Sequence, residues 1–493
     1  MRKRRLIIPM FALLFLSACI GPGKEKKEKA ECVVTVEAKT GVLTGNAEVK
    51  TITDNGSELS YVSGFLTDED TATVSFDIEN DGFYDLAFLV KSEGGYKENY
   101  VLVDGVEQGT IKCENTEFED SLLRRVFLSK GSHSVGIKKY WGCICWDKLS
   151  VFRSEELPKD IYEVSSQLVN FEASDNAKRL MNYLTDIYGE KILSGQYADG
   201  GYASWEVFKL KEVNGQKTPA VIGLEMGHCC KTAIDNNFTH TSVEDALDAW
   251  EKGGIVTMCY HWLAPEKYVT GIWWNGFRSE AVDIPLEKIM NGEDEEGMKL
   301  ILNDIDILAK ELQPLKDADV PVLFRPLHEA SGGWFWWGDH GAEAYKKLYV
   351  LMYERLTNEH GLNNLIWLWN GQSEDWYPGD EYVDIIGTDI YPGEQEYSSQ
   401  VDSFLTLHSW LKGKNKMIVL SENGTMPDID ACVRDGAMWG FFATWSGEFV
   451  LTDGLVVNYS EKYTQKDMVK KIYNHESVLT LDELPDLKNY RLR

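Results

Sequence analysis

A (β/α)₈ barrel preceded by a β-sandwich is the fold class the sequence predicts, and three observations predict it. Up to about residue 153 the apolar residues recur with a period of two, in short runs separated by turn pairs. From about residue 168, eight short apolar runs alternate with longer amphipathic stretches over about 300 residues. The composition, 43% hydrophobic and 12% aromatic in 493 residues, supplies apolar surface for large cores and excludes low-complexity disorder.

The N-terminus reads as an export signal. Arg2, Lys3, Arg4 and Arg5 precede an apolar run from Leu6 to Leu16 and then the small residues Ser17 and Ala18 before Cys19. The run is too short to span a bilayer. Leu16-Ser17-Ala18-Cys19 resembles the bacterial lipobox, which implies that residues 1–19 are a signal ending at Cys19, that Cys19 carries lipid, and that the chain is tethered to a membrane or cell surface. Residues 20–30 are charged and core-free, a spacer between anchor and fold.

Residues 31–153 form the predicted β-sandwich. Segments 32–37, 71–78, 82–90 and 100–104 are alternating or wholly apolar, and Asn55-Gly56, Asp81-Gly82 and Asp104-Gly105 punctuate them as turns. Residues 154–167 are read as a linker, 168–475 as the barrel and 476–493 as a tail. The barrel strands are predicted at 191–194, 220–225, 255–260, 320–325, 365–369, 383–389, 417–421 and 438–444, with helices at 295–312 and 342–359 among the intervening stretches. A doubly wound sheet is the alternative, but no Gly-rich phosphate loop follows any strand.

Charge narrows the function. Fifty basic residues against 79 acidic ones leave a formal net charge of −29, which repels nucleic-acid backbones. Sixteen Trp and 23 Tyr suit a protein that stacks rings on sugars or lines a cleft with them. Of the nine cysteines, eight remain if Cys19 is lipidated, and none shows the paired spacing of a structural zinc site. Buried thiols or one or two local bridges are expected, with no assignable pairing.

In a (β/α)₈ barrel, reactive groups stand at the C-terminal ends of strands. Those ends carry His261, His328-Glu329, Asn370, Asp389 with Tyr391, Glu422 and Trp445. Glu329 and Glu422 each follow an apolar strand directly, where a carboxylate is costly unless it has a partner or a task. Two carboxylates across a barrel mouth can cleave a glycosidic bond, one protonated to serve the leaving oxygen and one ionised to attack the anomeric carbon. The zinc-protease pattern His-Glu-x-x-His fails because Gly332 occupies the second histidine position, and no Gly-x-Ser-x-Gly follows a strand.

The residues around these carboxylates resemble a known family. Phe324 to Gly338, containing Arg325-Pro326-Leu327-His328-Glu329 and Trp334, is similar to the acid/base signature of glycoside hydrolase family 26. Ile418 to Gly424 resembles its nucleophile strand, His261-Trp262 with Pro265 its third-strand motif, and Asp389-Ile390-Tyr391-Pro392 its sixth. The resemblance implies a retaining enzyme that needs no cofactor for catalysis. Its substrate would be a β-mannan polysaccharide and manno-oligosaccharides, cleaved as an endo-β-1,4-mannanase, with a β-1,3-1,4-glucanase or β-1,3-xylanase as alternatives. It also implies Glu329 as acid/base and Glu422 as nucleophile. His261, Arg325, His328, Trp334, Tyr391 and Trp445 would surround the sugar, with Arg325 acting electrostatically on the Glu422 side. A non-catalytic glycan-capture lipoprotein would be expected to lack one of the two carboxylates.

The first domain, through Val36-Glu37-Ala38, 61–65 and Tyr140-Trp141-Gly142 before Asp147, resembles carbohydrate-binding modules of families 35 and 6. That resemblance implies a structural calcium at Glu37 and Asp147 and makes Trp141 a candidate sugar-stacking ring. Two segments fit no motif: Glu225-Met226-Gly227-His228-Cys229-Cys230, and the long stretch 263–319, whose Trp273 and Trp274 are expected to wall the cleft.

Overall fold

A computed structural model of the chain describes residues 31–54 and 57–493. The signal, the lipobox Cys19 and the spacer of residues 20–30 lie outside the described residues. Among the described residues, no helix is long and apolar enough to cross a membrane.

The first domain is a sandwich of two antiparallel sheets. One sheet orders its strands Glu48–Asp54, Ser57–Ser63, Ile144–Arg153, Gly82–Ser92 and Glu119–Leu128, with Cys32–Glu37 added alongside Ile144–Arg153. The other runs Val42–Thr44, Thr71–Ile78, Gly131–Trp141, Lys97–Val103 and Val106–Cys113. Alternation decides which side chains point inward. On Thr71–Ile78 the inward residues are Ala72, Val74, Phe76 and Ile78, and they pack with Phe88, Val101, Ile137 and Trp146 into one core.

The second domain closes eight parallel strands into a barrel. In order they are Ile192–Tyr197, Val221–Glu225, Ile255–Tyr260, Val322–Pro326, Leu365–Trp369, Ile385–Ile390, Met417–Asn423 and Phe441–Thr444. Each prediction lands on its strand, with boundaries moved by a few residues. The strands are buried on both faces, so they read as continuous apolar runs with no alternation. The amphipathic stretches become the helices Glu295–Asp317 and Gly341–Tyr353, the latter continued by a π-helical turn at Glu354–Glu359.

Two segments read as linker and tail are packed against the barrel. Ile161 is buried in the barrel core, and the Tyr162 hydroxyl donates to the Gly436 carbonyl at 2.7 Å. In the last eighteen residues, Val478–Leu479 pairs with the first barrel strand, Leu487 is buried, and Tyr490 packs edge-on against Tyr183. Polar composition hid both, because each is anchored by single apolar residues and not by a periodic face.

The two domains are bolted together by adjacent arginines. Arg124 donates from Nε to Asp402 Oδ1 at 2.6 Å and from Nη2 to the Asp402 carbonyl at 2.8 Å, and also bonds Thr406. Arg125 donates from Nε to the Asp435 carbonyl at 2.7 Å. Arg125 has φ +59°, within an irregularity in the pairing of Gly82–Ser92 with Glu119–Leu128. That bulge turns both side chains toward the barrel. The eight cysteines from Cys32 to Cys432 are free thiols, most of them buried.

Candidate active site

Glu329 is delivered by a kinked strand end. After the fourth strand, Leu327 and Glu329 both adopt φ +53°, a left-handed conformation that non-glycine residues avoid unless their surroundings enforce it. The enforcing contact is the Glu329 backbone N–H, which donates to the Asn370 carbonyl at 2.7 Å. The Glu329 side chain accepts from Trp334 Nε1 at 2.9 Å. The indole lies over Gly332, where a Cβ would stand 2.1 Å from the ring, so the glycine is what lets the tryptophan fold back.

Glu422 stands near the end of the seventh strand, where the register against the sixth slips between Thr388 and Asp389 and sets Asp389 opposite Glu422. One guanidinium joins them. Arg325 Nη1 donates to Asp389 Oδ2 at 2.8 Å and Nη2 donates to Glu422, while Nε donates to the Tyr197 hydroxyl at 3.3 Å. The Tyr391 hydroxyl donates to the other Glu422 oxygen at 2.5 Å. Ser421 donates to Asp389 Oδ1 at 2.8 Å and accepts from Asn370 Nδ2 at 2.8 Å, which fixes Asp389 from the far side.

The carboxyl oxygens of Glu329, Asp389 and Glu422 lie within 4.8 Å of one another. Three acids with one shared arginine cannot all ionise, so a proton is retained. Burial pushes Glu422 up to about 7, and Arg325, Tyr391 and His261 oppose the rise. Burial and the charges of Asp389 and Glu422 also push Glu329 well up, against Arg325 and the Trp334 bond. Glu422 accepts from both Arg325 and Tyr391 while Glu329 accepts from Trp334, so a charge is better held on Glu422. Such a pair can donate a proton and a nucleophile to the same bond. Retaining pairs hold their carboxyls about 5–5.5 Å apart and inverting pairs about 6.5–9.5 Å, and oxygens within 4.8 Å suit the closer arrangement.

Glu329 and Glu422 line a cleft of about 540 Å³. Its walls hold His261, His328, Trp334, Tyr391 and Trp445, together with Trp273 and Trp274 from the long third-to-fourth-strand connection. Trp334 is 46% exposed and Tyr391 40%, so both present ring surface to a ligand. A second cavity of similar size, lined by Phe171 and Lys414 among others, carries none of the strand-end residues.

One predicted substrate contact is corrected. Arg325 is fully buried and absent from the cleft lining, so it acts on substrate only through Asp389 and Glu422. Trp336 and Trp337 are also buried, donating to the carbonyls of Trp262 and His328 at 2.7 and 2.8 Å. Sequence reasoning gave no role to Tyr197, Phe277, Phe335 or Glu225, all of which line the cleft, although the segment from Glu225 stood out as fitting no motif. Glu225 had a usable signal, since it is a carboxylate ending an apolar strand, as Glu329 and Glu422 nearly are. Tyr197 ends the first strand and Phe335 lies within the Phe324–Gly338 motif, whereas Phe277 is a single ring in a connection whose course only the fold sets.

Residues 169–483 match the family model of glycosyl hydrolase family 26, and residues 34–153 that of the family 35 carbohydrate-binding module. The chain belongs to glycosyl hydrolase family 26. A mannan endo-1,4-beta-mannosidase of Thermothelomyces thermophilus is 35% identical over 93% of this chain and 92% of its own. Mannan endo-1,4-beta-mannosidase A of a Piromyces species is 35% identical over 92% of this chain and 73% of its own. The crystal structure of a Podospora anserina GH26-CBM35 beta-(1,4)-mannanase, 32% identical, superposes with a TM-score of 0.64 over 92% of this chain and 99% of that one. This family 26 glycoside hydrolase thus shares its two-domain order with a solved enzyme.

Proposed function

We propose that the protein is a retaining endo-β-1,4-mannanase acting on mannan, glucomannan or galactomannan. The observation that carries the reading is the cluster of Glu329, Asp389 and Glu422 around Arg325 in an aromatic cleft, and the mannanase names of the full-length relatives support the substrate. In the first step the Glu422 carboxylate attacks the anomeric carbon. The glycosidic C–O bond breaks, its electron pair goes to the leaving oxygen, and Glu329 supplies that oxygen with a proton. In the second step ionised Glu329 takes a proton from water, the water oxygen attacks the same carbon, and the ester bond to Glu422 breaks. Tyr391 holds Glu422 in line, and Trp334 and Trp445 offer faces for stacking.

The rest of the chain extends the reading. Trp141 is 64% exposed at the end of its strand, as a sugar-stacking ring of the module should be. Burial pushes Asp147 up and the Glu37 charge adds to the rise, while Lys39 pairs with Glu37 at 2.6 Å. Glu37 and Asp147 would offer carboxylate oxygens to a structural calcium beside the first and last strands. Cys19 would carry the lipid that holds the enzyme at the cell envelope.

Product analysis on glucomannan, galactomannan and lichenan tests the reading. Retained-anomer manno-oligosaccharides from both mannans, with nothing from lichenan, are expected. Cleavage of lichenan alone would transfer the enzyme to the glucanases.

A further inference from the structure

Glu225 ends the second barrel strand, and its carboxylate is saturated. Oε1 accepts the backbone N–H of Gly227 at 2.7 Å and of His261 at 2.8 Å. Oε2 accepts His261 Nδ1 at 2.5 Å and the Cys259 thiol at 3.0 Å. A carboxylate with every lone pair engaged cannot turn, so it fixes both the plane of the His261 ring and the proton on Nδ1.

The opposite nitrogen of that ring, Nε2, meets His328 Nε2 at 3.2 Å. Two facing ring nitrogens hold one proton between them, so the two imidazoles cannot both be cations. His328 is wedged against Phe335 and Trp337, beside Arg325, and its Nδ1 has no partner. Burial, Arg325 and His261 hold its pKa well down, so His328 is the neutral ring. His261 is the charged one: burial lowers its pKa, but Glu225 outweighs this and raises it. Glu225 itself stays ionised, because its bonds to His261 and Cys259 overcome burial and hold it to about 2.

The groups facing His261 are few. Glu225 comes from the second strand, Cys259 from its own, Arg325 and His328 from the fourth, and Glu422 from the seventh. Asp389 is occupied by Arg325, Glu329 accepts from Trp334, and His228 with its stacked neighbour His240 lies beyond Glu225. Phe277, Phe335 and Trp445 pack edge-on against the ring and add no charge.

We propose that Glu225 is a positioning residue for the nucleophile: by clamping His261 it keeps a fixed cation in the cleft that favours the ionised form of Glu422. The inference rests on the mannanase reading and adds to it a residue outside the acid and nucleophile pair. Glu225→Gln places an amide where the counter-charge stood, so His261 discharges and Glu422 protonates at a higher pH.

The experiment is the pH profile of kcat/KM on a soluble manno-oligosaccharide, for wild type, Glu225→Gln and Glu225→Asp. The acidic limb should move up by roughly 0.5–1 unit in Glu225→Gln, a loss of up to about tenfold on that limb. The basic limb should stay in place, and Glu225→Asp should recover part of the shift. An even loss at all pH values, with both limbs unmoved, would show a purely structural role and overturn the proposal, as would no change at all. If Glu225→Gln fails to fold, His261→Gln must give the same upward shift for the proposal to stand. A wild-type protein inactive on every mannan removes the mannanase reading and this inference with it, before any variant is assayed.

Discussion

Trp334 donates its indole N–H to Glu329 at 2.9 Å, so the ring placed to stack on a sugar also steadies the carboxyl read as the acid. That bond favours the ionised form of Glu329, against burial and two neighbouring carboxylates that favour the protonated one. The acid is thus kept from being too weak to release its proton. Trp334→Phe removes the donor while keeping a ring. The pKa of Glu329 should rise, moving the basic limb of the pH–rate profile to higher pH, with kcat/KM down about tenfold at the optimum from weaker stacking. A basic limb that stays still would separate Trp334 from the acid.

The division of labour between Glu329 and Glu422 makes a sharper prediction. Glu422→Ala should abolish turnover and leave glycan binding nearly intact. Glu329→Ala should cost roughly 10²–10⁴-fold on mannan, whose leaving oxygen needs a proton, and much less in the first step on an activated aryl glycoside. Equal losses on both substrates would argue against the acid assignment.

Buried acids set the pH dependence of stability. Burial raises Asp304 and Asp384 to about 6 and Glu396 and Glu422 to about 7. The folded chain therefore binds more protons than the unfolded one between about pH 4 and 7, and stability falls as pH rises through that window. Glu225, held to about 2, works in the opposite direction and costs stability only below about pH 4.5. The melting temperature should fall between about pH 4 and 7 and level off above that window, and calorimetry showing a rise across it would contradict this balance.

Arg124 and Arg125 predict coupling between the domains. Removing the Arg124–Asp402 contact, whose side chains are about a quarter exposed, should cost about 1–2 kcal/mol and lower the melting temperature by a few degrees. Hydrolysis of soluble manno-oligosaccharide by Arg124→Ala should stay within about twofold of wild type, because the contact lies on the helix Val401–Trp410, outside the cleft lining. Two separate calorimetric transitions in the wild type would show that the domains melt independently of this contact.

The barrel was legible because parallel strands buried on both faces leave continuous apolar runs, and a carboxylate at the end of such a run has few structural excuses. Glu329 and Glu422 stood out for that reason. The segment from Glu225 stood out only as fitting no motif, and its role emerged once the fold set it against His261. The family resemblance places Arg325 around the sugar with an electrostatic role toward Glu422; the structure shows the bond to Glu422 but buries the side chain away from the cleft. A strand's alternation sends its side chain into the barrel floor instead, beneath Asp389 and Glu422. The linker and tail misled because Ile161, Leu487 and Tyr490 act singly, and a lone apolar residue has no period to detect.

By itself, then, the sequence determined the two-domain order, the eight strands, the pair of carboxylates and the family, because each is written in local period or contiguous motif. The tertiary structure decided which acid is better placed to keep the proton, by setting Asp389 and Glu422 on one guanidinium with Glu329 beside them. It also decided that His261 is clamped from a strand thirty-odd positions away and that two arginines on a bulge lock the module in place. Protonation and docking depend on distances between residues far apart in the chain, and distance is what closure of the barrel creates.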